Sequence, residues 1–263
     1  MEPPRLTPLS CCIIARNEGD RIGDVIRAVS GLVDEVVVVD SGSTDNTVAV
    51  AEGLGARVIH HDWPGYGPQK RFSEDCAAYD WILNLDADEI MTPELCAEIR
   101  ALIASRPRLN AYRFRIMNVY PGRSAPRLWA DFHNYVRLYD RRVVRFRESP
   151  VHDTVDTRNE PVGQLKGTVT HFSSRSFDHI RQKFEAYNTL QSKVLKKPSW
   201  QLWARLPLEY PLGFLRYYIF RRHFTGGIDG VRVSHIAAEA RFKRILKFLD
   251  AKRNRQATNG PPA

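Results

Sequence analysis

Three acids stand within four residues at Asp86-Ala87-Asp88-Glu89, directly after the short apolar run Trp81-Ile82-Leu83-Asn84-Leu85. Such a run reads as a buried strand, so the acids fall where that strand leaves the core. Negative charges this close repel one another and call for a positive partner. A hard divalent cation with oxygen ligands, Mg2+ or Mn2+ beside a nucleotide's phosphates, is the simplest candidate. The alternative is a helix start, because Asp88 and Glu89 precede Thr92-Pro93-Glu94 and would favour the positive end of the next helix.

Two earlier apolar runs end in the same manner. Residues 9–15 form a continuous apolar stretch, as a strand buried on both faces should, and it breaks at Arg16-Asn17-Glu18. Residues 35–40 form a second, ending on Asp40-Ser41. Apolar spacing predicts helices over 21–29, 47–53 and 69–78, a third strand over 56–59 and a fourth over 81–85. Short strands alternating with helices predict right-handed crossovers and an α/β fold with a mostly parallel sheet. Ligands of such sheets bind at the carboxyl ends of the strands. Asn17, Glu18, Asp40, Asp86 and Asp88 would all converge there. Taken singly, Asp40 could start an Asx turn and Asp45 could cap a helix.

Neither Gly-x-Gly-x-x-Gly after the first strand nor Gly-x4-Gly-Lys-Ser/Thr occurs, which argues against dinucleotide and P-loop sites. Gly65-Tyr66-Gly67-Pro68-Gln69-Lys70-Arg71 is a glycine-rich stretch opening a helix with two cations. It either holds a phosphate through backbone amides and charge or is a surface loop.

The chain has 263 residues, 43% of them hydrophobic, which is ample for a real core. Cys11, Cys12, Cys76 and Cys96 show no Cys-x-x-Cys spacing, so neither a disulfide framework nor a zinc site is indicated. The apolar run before Arg16 is too short for a signal peptide or a membrane span, and a cytosolic chain is expected.

Charge is uneven. From Lys196 onward there are 14 Lys/Arg and 4 Asp/Glu, a balance of +10, whereas the first 195 residues carry 25 and 26, a balance of −1. Two units are therefore expected, a catalytic body over 1–195 and a basic, aromatic-rich helical segment over 196–263. Residues 200–208 and 214–222 mix Trp, Tyr and Phe with Arg, and residues 241–252 read as a basic amphipathic helix. Interfacial segments facing anionic lipid have this character. Helices packed on the body with a solvated basic face would read the same way. Nucleic-acid binding is disfavoured, since no such motif is apparent. A non-catalytic nucleotide- or nucleic-acid-binding protein on an α/β fold is the rival class.

Four motifs in order carry a family likeness: Ile13-Ile14-Ala15-Arg16-Asn17-Glu18, then residues 36–47, then Gly65 to Arg71, then Asn84 to Glu89. Together they resemble the family 2 glycosyltransferases, which have the GT-A fold. Val136-Arg137-Leu138-Tyr139, Pro150-Val151-His152-Asp153 and Thr170-His171-Phe172-Ser173 are similar to the branch containing bacterial lipopolysaccharide-core transferases. The resemblance implies a GT-A nucleotide-sugar-binding domain and sugar transfer, often inverting, from a nucleotide sugar to a lipid-linked saccharide. A UDP-sugar is the default donor, and the cytosolic face of an anionic membrane is the expected place.

The resemblance also implies roles. Ala15, Asn17, Glu18, Asp40 and Ser41 would line the nucleotide, with Asp40 on the base, and Lys70 would neutralise phosphate. Asp86, Ala87 and Asp88 would form the Asp-x-Asp element, contacting ribose and, through Asp88 and Asp86, the metal. His152 and His171 are candidate metal ligands or phosphate contacts, with a structural role as the alternative, and Asp153 is the candidate general base, with an exposed turn acid as the alternative. Two departures stand out. Asp40-Ser41 replaces the usual acid pair, and Lys70-Arg71 replaces the usual Arg-Asn.

Overall fold

The computed structural model describes residues 7–149, 154–194 and 198–258, which divide into two compact units. The first comprises Met1–Asn118 with Phe132–His171, and the second Val119–Asp131 with Phe172–Ala263. The composition break at 195/196 lies elsewhere than this division. The reason is packing: the helix that ends at Val194 lies against the last helix of the chain.

The first unit opens with β1 (Leu9–Ala15), α1 (Ile22–Val29), β2 (Glu35–Asp40), α2 (Thr47–Gly53), β3 (Arg57–His60), α3 (Tyr66–Cys76) and β4 (Trp81–Asp86). It continues with β5 (Glu89–Met91), α4 (Pro93–Ala104), β6 (Ala111–Asn118), β7 (Phe132–Asp140), β8 (Arg145–Phe146), β9 (Val155–Asp156) and β10 (Val162–His171). Eight strands make one sheet in the order β3-β2-β1-β4-β7-β6-β10-β5, and β8 and β9 pair separately. β3, β2, β1 and β4 are parallel, β7 runs antiparallel between β4 and β6, and β10 is parallel to β6.

All seven residues of β1 are buried because helices cover both faces of the sheet. Cys11, Ile13 and Ala15 face one side, where Ile22, Val25 and Ile26 of α1 and Leu95 and Ile99 of α4 pack. Cys12 and Ile14 face the other, against groups that include Phe146 and Phe72. The four cysteines are free, and burial pushes the Cys11 and Cys12 thiols upward, so these two are inert packing groups. α4 is capped by Thr92, whose hydroxyl accepts from Leu95 N, with Pro93 at its first position. β5 begins at Glu89 itself and separates Asp88 from this cap, so Asp88 and Glu89 do not start the helix.

α3 is fastened at both ends. Glu74, buried, accepts from Tyr139 Oη (2.7 Å), Phe146 N (3.0 Å) and Arg145 Nε (2.6 Å). At the other end Gly67 N donates to Ser149 O at 3.1 Å. A Cβ on Gly67 would stand 2.1 Å from Arg147 O and 2.6 Å from Ser149 O, both backbone atoms that cannot swing away.

The second unit is helical: α5 (Phe177–Val194), α6 (Ser199–Leu215), a π-helical stretch Arg216–Phe220, a short 3-10 turn His223–Gly226, and α7 (Gly227–Thr258). α5 and α6 both pack on α7. Among the described residues no helix is long and apolar enough to cross a membrane.

Gly67→Ala should lower stability by about 1–3 kcal/mol, since overpacking against fixed backbone forces a shift. Gly53→Ala, at a position where an added Cβ meets nothing within 4 Å, serves as the control and should be neutral or slightly stabilising. The urea midpoints of the two variants against the parent check this.

Candidate functional site

Parallel pairing sets Ala15 beside Asp40 and Ile14 beside Asp86, so β1, β2 and β4 end almost flush. The loops leaving β1 and β2 are laced together. Asn17, held at φ +56°, accepts from Thr44 N through Oδ1 (2.8 Å) and donates its own N–H to Ser43 Oγ (2.8 Å). Asp40, buried, accepts from Gly42 N (3.0 Å), Ser43 N (2.9 Å) and the Ser43 hydroxyl. It therefore makes the Asx turn that its position suggested. Glu18 N donates to Thr47 Oγ1, and Gly19 N to Asp45. Ser41 Oγ accepts from Gln69 Nε2 at 2.9 Å, which ties the end of β2 to the start of α3.

One residue further along α3, Lys70 is wholly buried, with its ammonium 2.7 Å from Asp86 Oδ1 and 5.1 Å from the centre of the Phe146 ring. Arg137 of β7, also buried, reaches the second oxygen, Oδ2, at 3.1 Å. The same guanidinium donates to Asn84 Oδ1 (2.8 Å) and Glu89 Oε1 (3.2 Å). Glu89 in turn accepts from Asp86 N at 3.0 Å. Burial opposes ionisation of Asp86, but Lys70 and Arg137 hold its carboxyl well below the usual carboxylate range. Burial drives Glu89 the other way, up to about 7, against the pull of Arg137. The positive partner demanded by three clustered acids is thus supplied in large part by the chain itself.

Asp88 has different company. Its Oδ1 lies 3.3 Å from His171 Nε2 and its Oδ2 3.5 Å from Arg21, which also pairs with Glu18. His171 closes β10, where it is in register with Asn118 of β6 and Glu89 of β5. Asn118 Oδ1 is 3.0 Å from His171 Nδ1 and, as an acceptor, leaves Nε2 to face Asp88. Burial opposes charge on both groups. Each nevertheless stabilises the other's ion, lowering Asp88 and raising His171 relative to their ordinary values.

A carboxylate oxygen and an imidazole nitrogen 3.3 Å apart have the separation of two ligands sharing one divalent ion with bonds of roughly 2.0–2.2 Å. Asp88 and His171 thus offer donor types and a spacing that a divalent ion would accept once the imidazole is neutral, with Asn118 holding the ring at Nδ1. Both Asp86 oxygens already face cations. Among the described residues no three His, Cys, Asp or Glu side chains converge on one point. A metal here would take its remaining ligands from water and substrate phosphate, as Mg2+ commonly does.

Ala15, Asn17, Glu18, Asp40, Ser41, Lys70, Asp86, Ala87, Asp88 and His171 all belong to the first unit, and the contacts above join most of them. His152 and Asp153 lie outside the described residues. Arg137, Arg21, Gln69 and Asn118 went unassigned in the sequence. A cation within the apolar run Val136-Arg137-Leu138-Tyr139 was the available signal for Arg137, since such a residue persists in a core only with partners.

This sheet order, with an Asp-x-Asp element at the carboxyl ends of parallel strands, defines a GT-A-like α/β fold. The family model described as glycosyl transferase family 2 matches residues 10–157, and the chain belongs to that family. It is 38% identical to an uncharacterized glycosyltransferase of Rickettsia felis over 92% of this chain and 90% of that one. It is 30% identical to the lipopolysaccharide core biosynthesis glycosyltransferase LpsC of Rhizobium meliloti, over 94% and 92%. Glucosyl-3-phosphoglycerate synthase from Mycobacterium tuberculosis, solved with Mn2+, UDP and glucosyl-3-phosphoglycerate, is 28% identical over 44% of this chain and 45% of that one. Its TM-score of 0.35 marks a superposition too partial to bear on this site.

Replacing Arg137 with Met would leave Glu89 and one oxygen of Asp86 buried without their cation. The expected loss is about 3–5 kcal/mol. Arg137→Lys should recover only part of it, because an ammonium cannot serve Asn84, Asp86 and Glu89 from one planar fork. Urea unfolding of both variants at neutral pH measures the difference.

Proposed function

We propose that this glycosyltransferase moves a sugar from a nucleotide-sugar donor, a UDP-sugar by default, to a lipid-linked saccharide of the lipopolysaccharide-core type. The observation that carries the reading is the pairing of Asp86, fixed by Lys70 and Arg137, with the Asp88–His171 pair at one edge of the sheet. The likeness to LpsC along nearly the whole chain supports the acceptor class. The proposed setting is the cytosolic face of an anionic membrane, to which the +10 balance after residue 195 would be attracted. No nucleic-acid partner is proposed.

In this reading the loops after β1 and β2 receive the nucleoside, with Ala15, Asn17, Glu18, Asp40 and Ser41 around the base and ribose. Lys70, being fully buried on Asp86, acts on the donor chiefly by holding that carboxylate still. Asp86 then meets the ribose, and Ala87 carries the chain between the two acids. Asp88 and His171 would hold Mg2+ or Mn2+, which when bound supplies positive charge to the departing nucleoside diphosphate. Transfer is a single inverting displacement. The acceptor oxygen bonds to the anomeric carbon, the bond from that carbon to the diphosphate oxygen breaks, and the hydroxyl proton passes to a carboxylate. Asp153 is the proposed base, and His152 beside it a further candidate ligand. The described chain ends at Ser149, bound to the first turn of α3, just before this segment.

A radiolabelled nucleotide-sugar hydrolysis screen names the donor without needing the acceptor. Turnover should require Mg2+ or Mn2+, and Asp88→Ala should abolish it while cooperative unfolding persists. Full activity in excess chelator would sink the metal assignment.

Asp153→Asn should keep near-normal donor affinity while the transfer rate falls by about 100- to 10,000-fold, the usual size of a general-base loss. A variant that transfers at the parent rate puts the base elsewhere. One that also loses donor binding moves Asp153 to the nucleotide or metal site.

A further inference from the structure

α6 buries Leu202, Glu209 and Gly213 on one side, at spacings of seven and four residues. The opposite side is apolar and bare. Leu208, Leu212, Leu215 and Ile219 follow one another at i, i+4, i+7 and i+11 and are all exposed. Trp200 and Trp203 stand on the exposed half of the first turns, and Phe220, 79% exposed, ends the stripe. The run from 199 to 220 is about 30 Å long at 1.5 Å per residue. Soluble surfaces rarely leave a continuous apolar strip of this size uncovered.

A second segment, distant in sequence, extends the strip. Arg127, its side chain 6% exposed, donates to the carbonyls of Trp129 (2.8 Å), Arg221 (2.9 Å) and Arg222 (3.0 Å). This pins Leu128 and Trp129 to the turn that follows the π-helical stretch. The Arg222 guanidinium lies 5.4 Å from the Trp129 ring, and Phe224 meets that ring edge-on at 6.4 Å. Leu128 and Trp129 are themselves largely exposed. All of these residues lie within the second unit.

The charges choose the occupant. Between residues 199 and 228 the one acid is Glu209, buried against Arg205 and Arg241, while Arg216, Arg221 and Arg222 are exposed at the end of the strip. In a symmetric contact with a second copy, these arginines would join an interface with no exposed acid from the same stretch to answer them. Lipid phosphates at the boundary between headgroups and acyl chains answer them, and Trp is at home at that depth.

We propose that α6, the π-helical stretch and the Leu128–Trp129 segment form one surface that lies in the plane of a bilayer and inserts its apolar side chains among anionic headgroups. The proposal rests on the membrane setting given above but not on the transfer chemistry. It differs from attraction by charge alone in that part of the binding survives salt. It also enlists residues 128–129, far from the basic end of the chain.

The test is flotation of the whole protein with phosphatidylcholine vesicles, with and without phosphatidylglycerol, at 0.1 and about 0.5 M NaCl, each concentration spanning the screening range. Binding to anionic vesicles that persists in part at high salt is expected. The combined Leu212→Ser, Leu215→Ser and Ile219→Ser variant should bind at least about tenfold more weakly, and Trp129→Ser about threefold. Both should hydrolyse donor in solution and unfold as the parent does, since none of the altered side chains belongs to a buried apolar cluster and Trp129 packs on the partly exposed Arg222 and Phe224. Binding lost entirely at high salt overturns insertion, as do variants that bind like the parent. A concentration-dependent dimer abolished by the same substitutions overturns it too, in favour of a second copy. A protein that hydrolyses donor yet ignores every vesicle loses this surface and keeps the proposed chemistry. One that floats but turns over no donor does the reverse.

Discussion

Carboxylates at the end of a buried strand can stay ionised only if cations come to them, and this need shapes the whole first unit. Lys70 meets one oxygen of Asp86 from a helix, and Arg137 meets the other from a strand. For Lys70 to arrive, the first turn of α3 must lie close against residues 147–149, which requires a residue without a side chain at Gly67. For α3 to stay there, Glu74 is bound by Tyr139, Arg145 and the backbone of Phe146. For Arg137 to arrive, an antiparallel strand must lie beside β4, and this is where the parallel order of the sheet is interrupted. Buried ion pairs of this kind add little net stability, but the loss of either partner is severe. They hold geometry more than they hold the fold.

Asp86 and Asp88 are two residues apart and live in different surroundings. Permanent cations engage one lone pair on each oxygen of Asp86, so its orientation is settled before any ligand arrives, while the side chain stays 28% exposed. Asp88 is held by an imidazole and by an arginine at 3.5 Å, partners that can give way. An invariant neighbour beside an exchangeable one is a sound arrangement where a bound ion must come and go while the substrate's frame stays fixed.

Much of the first unit was legible because its strands are buried on both faces. Continuous apolar runs such as residues 9–15 and 35–40 leave little else for the chain to be, and their polar ends mark the ligand edge. Pairings across the sheet were not legible. His171 follows the acid cluster by some eighty residues, and only the register of β10 with β5 and β6 brings them together. Arg137 stands out as a cation in an apolar run, but its partners stay hidden until β4 is set beside it. In the second unit, Pro207 and Pro211 signal breaks, yet α6 runs through both. Composition divided the chain at 195/196, but contacts follow the packing of α5 on α7 and draw in residues 119–131. Net charge describes what a surface attracts, not which helix packs where.

β10 joins β6 along most of its length and β5 at its tip, which sets it between two strands that precede it in the chain. The region that defines the family ends at residue 157, before this strand begins. During synthesis, everything through β9 can emerge while β6 still shows an open hydrogen-bonding edge and the short β5 has nothing to pair with. Open edges of this kind invite pairing with other chains. A fragment trimmed to the family boundary would therefore be aggregation-prone as well as short of His171. A chimera that exchanged only that region would inherit the imidazole that faces Asp88 from the other parent.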